Sequence, residues 1–241
     1  MKMKAAENSR FRFHVFLCGG IYMSGYVEHN KMDHKVLVDN NHKIKINSLF
    51  LPLLYKIETI RSNINNQKPF ILAIDGLCGS GKTSLAKELS DIYDCNIFHM
   101  DDFFLPFDMR AKERLEQPGG NVHYERFYKD VLMPLLRQEP VTYVPFQCST
   151  GNYGEPTIIS PKNINIVEGS YSLHPALNQH YDCKVFLTVS EQEQIQRIRK
   201  RSGEEKLQQF IDKWIPLENK YFNELHIESV SDLVMDTSNL W

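Results

Sequence analysis

The clearest pattern along the chain is an unbroken apolar run, Phe70-Ile71-Leu72-Ala73-Ile74, closed by Asp75. Without polar alternation, such a run predicts a strand buried on both faces, as in a parallel sheet. Upstream, from Ser48, the residues Leu49, Leu51, Leu53, Leu54, Ile57 and Ile60 recur at near-helical spacing, with Pro52 tolerated in a first turn. They predict a helix ending around Asn65-Asn66. Downstream, a helix is expected from Lys82 to about Tyr93 and a short strand at Asn96-Ile97-Phe98-His99. Tyr124 to Arg137 reads as a helix with Phe127, Val131, Leu132, Leu135 and Leu136 on one side. Asn163 to Val167 and Lys184 to Val189 read as strands, Glu191 to Lys200 and Glu204 to Tyr221 as helices, the latter kinked near Pro216. Leu233-Val234-Met235 is the last expected strand. Strands alternating with helices predict an α/β three-layer sandwich around a parallel sheet. Residues 1–45 show no clean period, and His29, Asn30, Asp39, Asn40 and Asn41 mark turns or loop. The expected organisation is an N-terminal extension over 1–45 and one domain over 46–241.

Composition narrows the partners. The 241 residues suit one α/β domain with additions. A formal net charge of -2 leaves no broad basic surface, so the expected partner is a small molecule and not nucleic acid. The five cysteines, Cys18, Cys78, Cys95, Cys148 and Cys183, form neither a disulfide framework nor a zinc pair and fit a reducing, cytoplasmic setting. The partly apolar stretch from Phe13 to Val27 is interrupted by His14, Gly19 and Gly20, so it predicts neither an export signal nor a membrane span. Assembly into identical copies is left open.

The chemistry begins directly after the first buried strand. Residues 76–83, Gly-Leu-Cys-Gly-Ser-Gly-Lys-Thr, match G-x-x-x-x-G-K-[ST] between a predicted strand and a predicted helix. Glycines let the backbone turn its N–H groups inward as an anion nest, and the helix N-terminus adds positive potential. Lys82 is expected at the β- and γ-phosphates and Thr83 on Mg²⁺, with ATP contacts at Gly76, Gly79, Ser80, Gly81, Lys82, Thr83 and Ser84. This loop serves GTPases, motors and kinases alike. The guanine motif N-K-x-D is missing: Asn219-Lys220 continues as Tyr221-Phe222. The chain is also short for a motor.

Three further features carry charge where ligands sit in open α/β sheets. Asp101 and Asp102 follow the strand ending at His99. Either a proton-accepting or Mg²⁺-holding carboxylate or a plain turn cap accounts for them equally well. Glu168 ends an apolar strand ahead of Gly169, the arrangement of a Mg²⁺-binding acid, with a solvated strand end as the alternative. Arg197, Arg199, Lys200 and Arg201 precede Ser202-Gly203 and read either as a short helical lid over the transferring phosphate or as a solvated helical face.

At these residues the sequence resembles the uridine kinase-like family of P-loop kinases, relatives of phosphoribulokinase and bacterial pantothenate kinase. The likeness rests on residues 73–83, on His99-Met100-Asp101-Asp102-Phe103-Phe104-Leu105-Pro106, on the stretches 116–127 and 167–175, and on Trp214-Ile215-Pro216-Leu217-Glu218. It implies a P-loop NTPase fold and transfer of the ATP γ-phosphate to a nucleoside 5′-hydroxyl. It implies Asp101 as general base, Glu125 at the ribose hydroxyls, Glu168 near Mg²⁺, Tyr143 beside the pyrimidine, and Arg197 and Arg201 as lid arginines. The sequence departs from uridine–cytidine kinases where their base-reading histidine is replaced by Cys148, a poor ring donor or acceptor. The lid segment is also shorter. Kinase chemistry is therefore the firmer implication and uridine the weaker one, with a pantothenate-like or sugar acceptor, or a nucleotide-binding regulator, as alternatives.

Overall fold

Strand pairing begins well before the phosphate loop. β1 (Phe11–Leu17) pairs antiparallel with β2 (Ile21–Val27), and β3 (His34–Asp39) with β4 (His42–Asn47). This computed structural model describes residues 11–17, 21–27, 34–39, 42–64 and 68–240. The chain divides into two compact units, the first reaching Asn63 and the second running from Ile64 to Asn239. Where the sequence shows no clean period, the first unit thus holds paired strands. The alternations Phe11-Arg12-Phe13-His14-Val15 in β1 and Lys43-Ile44-Lys45-Ile46 in β4 are short local signals of them. Asp39, expected in a turn, ends β3 opposite His42. Cys18, His29, Asn30, Asn40 and Asn41 lie outside the described residues. A 3₁₀ turn at Ser48–Phe50 then leads into α1 (Leu51–Asn63); Asn47 caps the turn by accepting the Leu49 N–H at 3.0 Å. The helix end expected at Asn65-Asn66 falls outside the described residues.

The second unit starts with β5 (Phe70–Gly76), buried along its whole length as its apolar run predicts. α2 (Lys82–Ser90) follows and packs against β5, β6 (Cys95–His99) and β11 (Ile164–Glu168). Beyond β6 come a 3₁₀ turn at Met100–Phe103, the short α3 (Lys112–Leu115), and one continuous helix. That helix consists of α4 (Tyr124–Phe127), a π-turn at Tyr128–Leu132 and α5 (Met133–Leu136). Four short strands form two antiparallel pairs: β7 (Val141–Tyr143) with β10 (Thr157–Ile159), and β8 (Phe146–Gln147) with β9 (Asn152–Tyr153). After β11 come α6 (Pro175–Asn178), β12 (Cys183–Thr188), α7 (Glu191–Ser202) and α8 (Glu204–Gln209). A π-turn at Phe210–Trp214, α9 (Ile215–Glu224) and β13 (Leu233–Asp236) complete the unit.

The kink expected near Pro216 takes a particular form. Pro216 has no N–H, and its ring would crowd the carbonyl of Asp212 in a regular helix. Widening the preceding turn to π geometry at Phe210–Trp214 relieves this, and the helix continues. Pro134 follows its own π-turn in the same way.

The central sheet has five parallel strands in the order β13-β12-β5-β11-β6. β5 is in the middle: the chain runs from it to β6 at one edge, returns to β11, and then crosses to β12 and β13 on the other side of β5. The phosphate loop therefore opens at the switch point of a doubly wound sheet, where ligands bind. On one side, Ile71, Ala73, Phe98 and Val167 of the strands pack with Phe127, Val131 and Leu132 of the π-bearing helix and with Tyr221 and Phe222 of α9. Flanking helices on a parallel sheet complete the P-loop NTPase sandwich.

Candidate active site

The site grows from the end of β5. Gly76 has φ 140°, and a Cβ there would lie 2.2 Å from the Leu187 carbonyl oxygen of β12, so only glycine lets the loop leave the sheet at this point. Gly81 begins α2 as its N-cap with φ 91°. Between them the Ser80 N–H donates to Leu77 O at 3.0 Å, while Ser80 Oγ is buried without a hydrogen-bond partner. The ammonium of Lys82 is buried and donates to Gly76 O at 2.7 Å and Leu77 O at 3.0 Å.

Parallel pairing brings the metal candidates together. In register, Glu168 of β11 lies between Ile74 of β5 and His99 of β6. The Thr83 hydroxyl stands 3.1 and 3.2 Å from the two Glu168 oxygens, and Ser84 is exposed on the next position of α2. His99 Nδ1 lies 2.5 Å from Glu168 Oε1. That hydrogen bond raises the pKa of His99 above the ordinary histidine value, so the imidazole favours its charged form beside the carboxylate.

The two aspartates after β6 have different surroundings. Asp101 is exposed to solvent, yet the protein packed around its carboxyl still costs it hydration. Desolvation pushes its pKa up to about 6, opposed by the Lys82 ammonium and reinforced by Glu168, Glu218 and Asp102. Asp102 instead accepts the Tyr143 hydroxyl at 2.6 Å, and that hydroxyl also accepts the His99 N–H at 3.2 Å. Burial, followed by this bond to Asp102, keeps the Tyr143 proton in place by raising its pKa. The ring of Tyr143 packs 5.8 Å from Phe98 and 5.6 Å from Phe103.

Glu125 is gripped by Arg114 at 2.7 and 2.9 Å. Desolvation opposes its charge, but Arg114 outweighs it and holds the carboxyl below its usual pKa. Cys148 is exposed beyond β8, with Arg110 Nη2 4.0 Å from its sulfur, and among the described contacts none joins it to Asp101 or Tyr143. The two lid arginines part company. Arg197 donates to Gly79 O at 3.3 Å, Thr237 O at 2.7 Å and Ser238 O at 3.3 Å, and pairs with Glu193 at 3.3 Å. Its guanidinium clamps the phosphate loop to the segment after β13. Arg201 is exposed, with its guanidinium 5.4 Å from the Phe210 ring centroid.

Several residues of the site carry no sequence signal of their own. Asp75, fully buried, accepts the N–H groups of Gly76, Tyr171 and Leu173 and the Tyr221 hydroxyl at 2.7 to 3.1 Å. Burial still pushes its pKa up to about 6. It ties the loop after β11 to the start of the phosphate loop. Its place at the end of an apolar run is legible, but its partners are not. His99 likewise ends a strand, and only the sheet order puts it beside Glu168.

Known proteins are similar to this chain in sequence and in fold. No family model matches the chain. A uridine kinase of Geobacillus kaustophilus is 25% identical over 175 residues, covering 64% of this chain and 81% of its own length. One of Bacillus mycoides is 27% identical over 179 residues, covering 66% of this chain and 82% of its own. The solved structure of a possible uridine kinase from Bacillus stearothermophilus superposes with a TM-score of 0.56 at 21% identity, covering 77% of this chain and 100% of that one, and shows the same fold. Among the described residues no helix is long and apolar enough to cross a membrane. The chain has the P-loop NTPase fold, and in sequence it resembles the uridine kinase-like family.

Proposed function

We propose that the chain transfers the γ-phosphoryl group of ATP to a small-molecule hydroxyl, namely a nucleoside 5′-hydroxyl of the uridine or cytidine kind. The observation that carries this reading is the meeting of Thr83 and Glu168 at the mouth of the phosphate loop, with Asp101 on the same sheet edge. A hydroxyl and a carboxylate are hard oxygen donors that suit Mg²⁺, which leaves its other positions to phosphate and water. When bound, Mg²⁺ neutralises phosphate charge as it shifts during transfer.

In this reading, loop amides within 79–83 hold the phosphates, with Gly76 shaping the turn and Ser80 and Ser84 adding hydroxyls. Lys82 turns its ammonium from the loop carbonyls to the β- and γ-phosphates. Asp101 accepts the proton of the acceptor hydroxyl as that oxygen attacks phosphorus in line. Arg201 offsets the spreading negative charge, while Arg197 holds Gly79. Tyr143 fixes Asp102, and Glu125 and Cys148 border the acceptor. The reading takes 46–241 as the kinase domain, 1–45 as an addition to it, and the cytoplasm as its location.

A second reading, a pantothenate-like or sugar acceptor, is favoured by two observations. Cys148 stands beside Arg110 in place of a ring that could read a base. Glu125 already has both oxygens engaged by Arg114. Incubation of the purified protein with radiolabelled ATP, Mg²⁺ and a panel of nucleosides, hydroxy acids and sugars separates the readings. Label on uridine or cytidine supports the first, and label only on a sugar or hydroxy acid supports the second. ATP binding without transfer to any acceptor would overturn both.

A further inference from the structure

The segment Trp214-Ile215-Pro216-Leu217-Glu218 has no part in the proposed mechanism, yet α9 places it against the site. Glu218 is buried, and both its oxygens are engaged: Oε2 accepts the Cys78 N–H at 2.9 Å, and Oε1 accepts the Ser170 hydroxyl at 2.7 Å. Cys78 lies in the phosphate loop. Ser170 lies just past Glu168 at the end of β11. A carboxylate buried among dipoles is retained only where its hydrogen bonds are well made.

Two neighbouring contacts give this geometry direction. The carbonyl of Cys78 accepts Gln194 Nε2 of α7 at 3.0 Å, so one residue of the loop is held through its N–H by α9 and through its C=O, part of the next peptide group, by α7. Around it, Cys78 packs with Ile198 and Leu207 of the lid helices. Along α9, Trp214, Glu218 and Tyr221 share one face at i, i+4 and i+7. Trp214 meets Phe104, beyond the two aspartates, with ring centroids 5.8 Å apart, and the Tyr221 hydroxyl donates to Asp75 at 2.9 Å. A single helix face therefore touches the segment after Asp101-Asp102, the phosphate loop and the strand β5.

We infer that Glu218 is a positioning residue: it fixes the phosphate loop against the end of β11, so that Thr83 and Glu168 meet at the spacing the nucleotide site needs. The inference rests on the kinase reading above and adds a residue to it. The carboxylate touches neither phosphate nor acceptor in this role. Its effect passes through the Cys78 peptide and Ser170.

The test measures binding of a fluorescent N-methylanthraniloyl-ATP with Mg²⁺, together with thermal melting, on the full chain. Losing a charged hydrogen-bond acceptor at the loop should raise the Kd of Glu218→Ala about tenfold. Glu218→Gln, which can still accept one bond and donate to Ser170 Oγ, should stay within about threefold of wild type. Phe222→Ala removes a buried side chain of the same helix that packs on Phe186 and makes no hydrogen bond. It should lower the Tm while leaving Kd within about twofold. Should Glu218→Ala not fold, Glu218→Asp, whose shorter arm reaches only one partner, takes its place with the same expected rise. An unchanged Kd in Glu218→Ala or its stand-in, or an equal rise in Phe222→Ala, overturns the positioning role alone. Failure of the wild-type protein to bind the nucleotide overturns the kinase reading, and this inference with it.

Discussion

Thr83 and Glu168 are 85 residues apart in sequence, yet the Thr83 hydroxyl lies within 3.2 Å of both carboxylate oxygens. One comes from the first turn of α2, the other from the last residue of β11. Their meeting assembles oxygen donors for a divalent cation from two local motifs. Thr83→Val should therefore raise the Mg²⁺ concentration for half-maximal rate by at least about tenfold at saturating ATP. An unchanged Mg²⁺ titration would remove Thr83 from the metal site.

Lys82 is the one ammonium buried within the loop itself, where it donates to Gly76 O and Leu77 O. Lys82→Ala should reduce phosphoryl transfer by a factor on the order of 10³ while circular dichroism stays native. Normal turnover in that variant would end the phosphate-binding assignment.

Asp101 sets the expected pH dependence. Its pKa is raised to about 6, chiefly by desolvation. As a general base it must be ionised, so kcat/KM for the acceptor should fall as pH drops through about 6 and level off above it. Asp101→Asn should lower kcat by roughly 10² to 10⁴, shift the KM for ATP little, and remove that acid limb. A rise in KM for ATP with kcat intact would assign Asp101 to nucleotide binding instead.

The two lid arginines should separate by readout. Arg197 is held by Gly79, Thr237 and Ser238 carbonyls, so Arg197→Ala should lower the Tm by roughly 3–10 °C. Arg201 is exposed, so Arg201→Ala should leave the Tm alone and cut kcat about 10²-fold. The reverse outcome, a catalytic loss at Arg197 with native melting, would give Arg197 the charge-stabilising role.

Gly76 is the steric hinge of the site. Gly76→Ala would put a methyl group 2.2 Å from the Leu187 carbonyl in a backbone conformation with φ 140°. A loss of about 3 kcal/mol or more of stability is expected in chemical denaturation. A variant as stable as wild type would mean that β12 yields at this point.

Local order was enough for the scaffold. The apolar run 70–74, the glycine-spaced loop and the helix beginning at Lys82 are adjacent in sequence, so their periods and turn chemistry declare a buried strand, an anion nest and a helix N-terminus. Glu168 was legible for the same reason, as an acid closing an apolar strand. Pairings between distant elements were not. Only the strand order sets His99 against Glu168, and only the packing shows that Arg114 holds Glu125 and that Tyr143 turns its hydroxyl to Asp102. Arg197, read from its helix as a lid charge or a solvated face, donates to the carbonyls of Gly79, Thr237 and Ser238. The paired strands between residues 11 and 47 alternate only over four or five residues, in β1 and β4, and β2 and β3 carry no such pattern to mark their partners. A period records how one element meets its surroundings. Which side chain from another element completes a charge or hydrogen bond depends on the order in which the sheet is stacked, and no local pattern encodes that order.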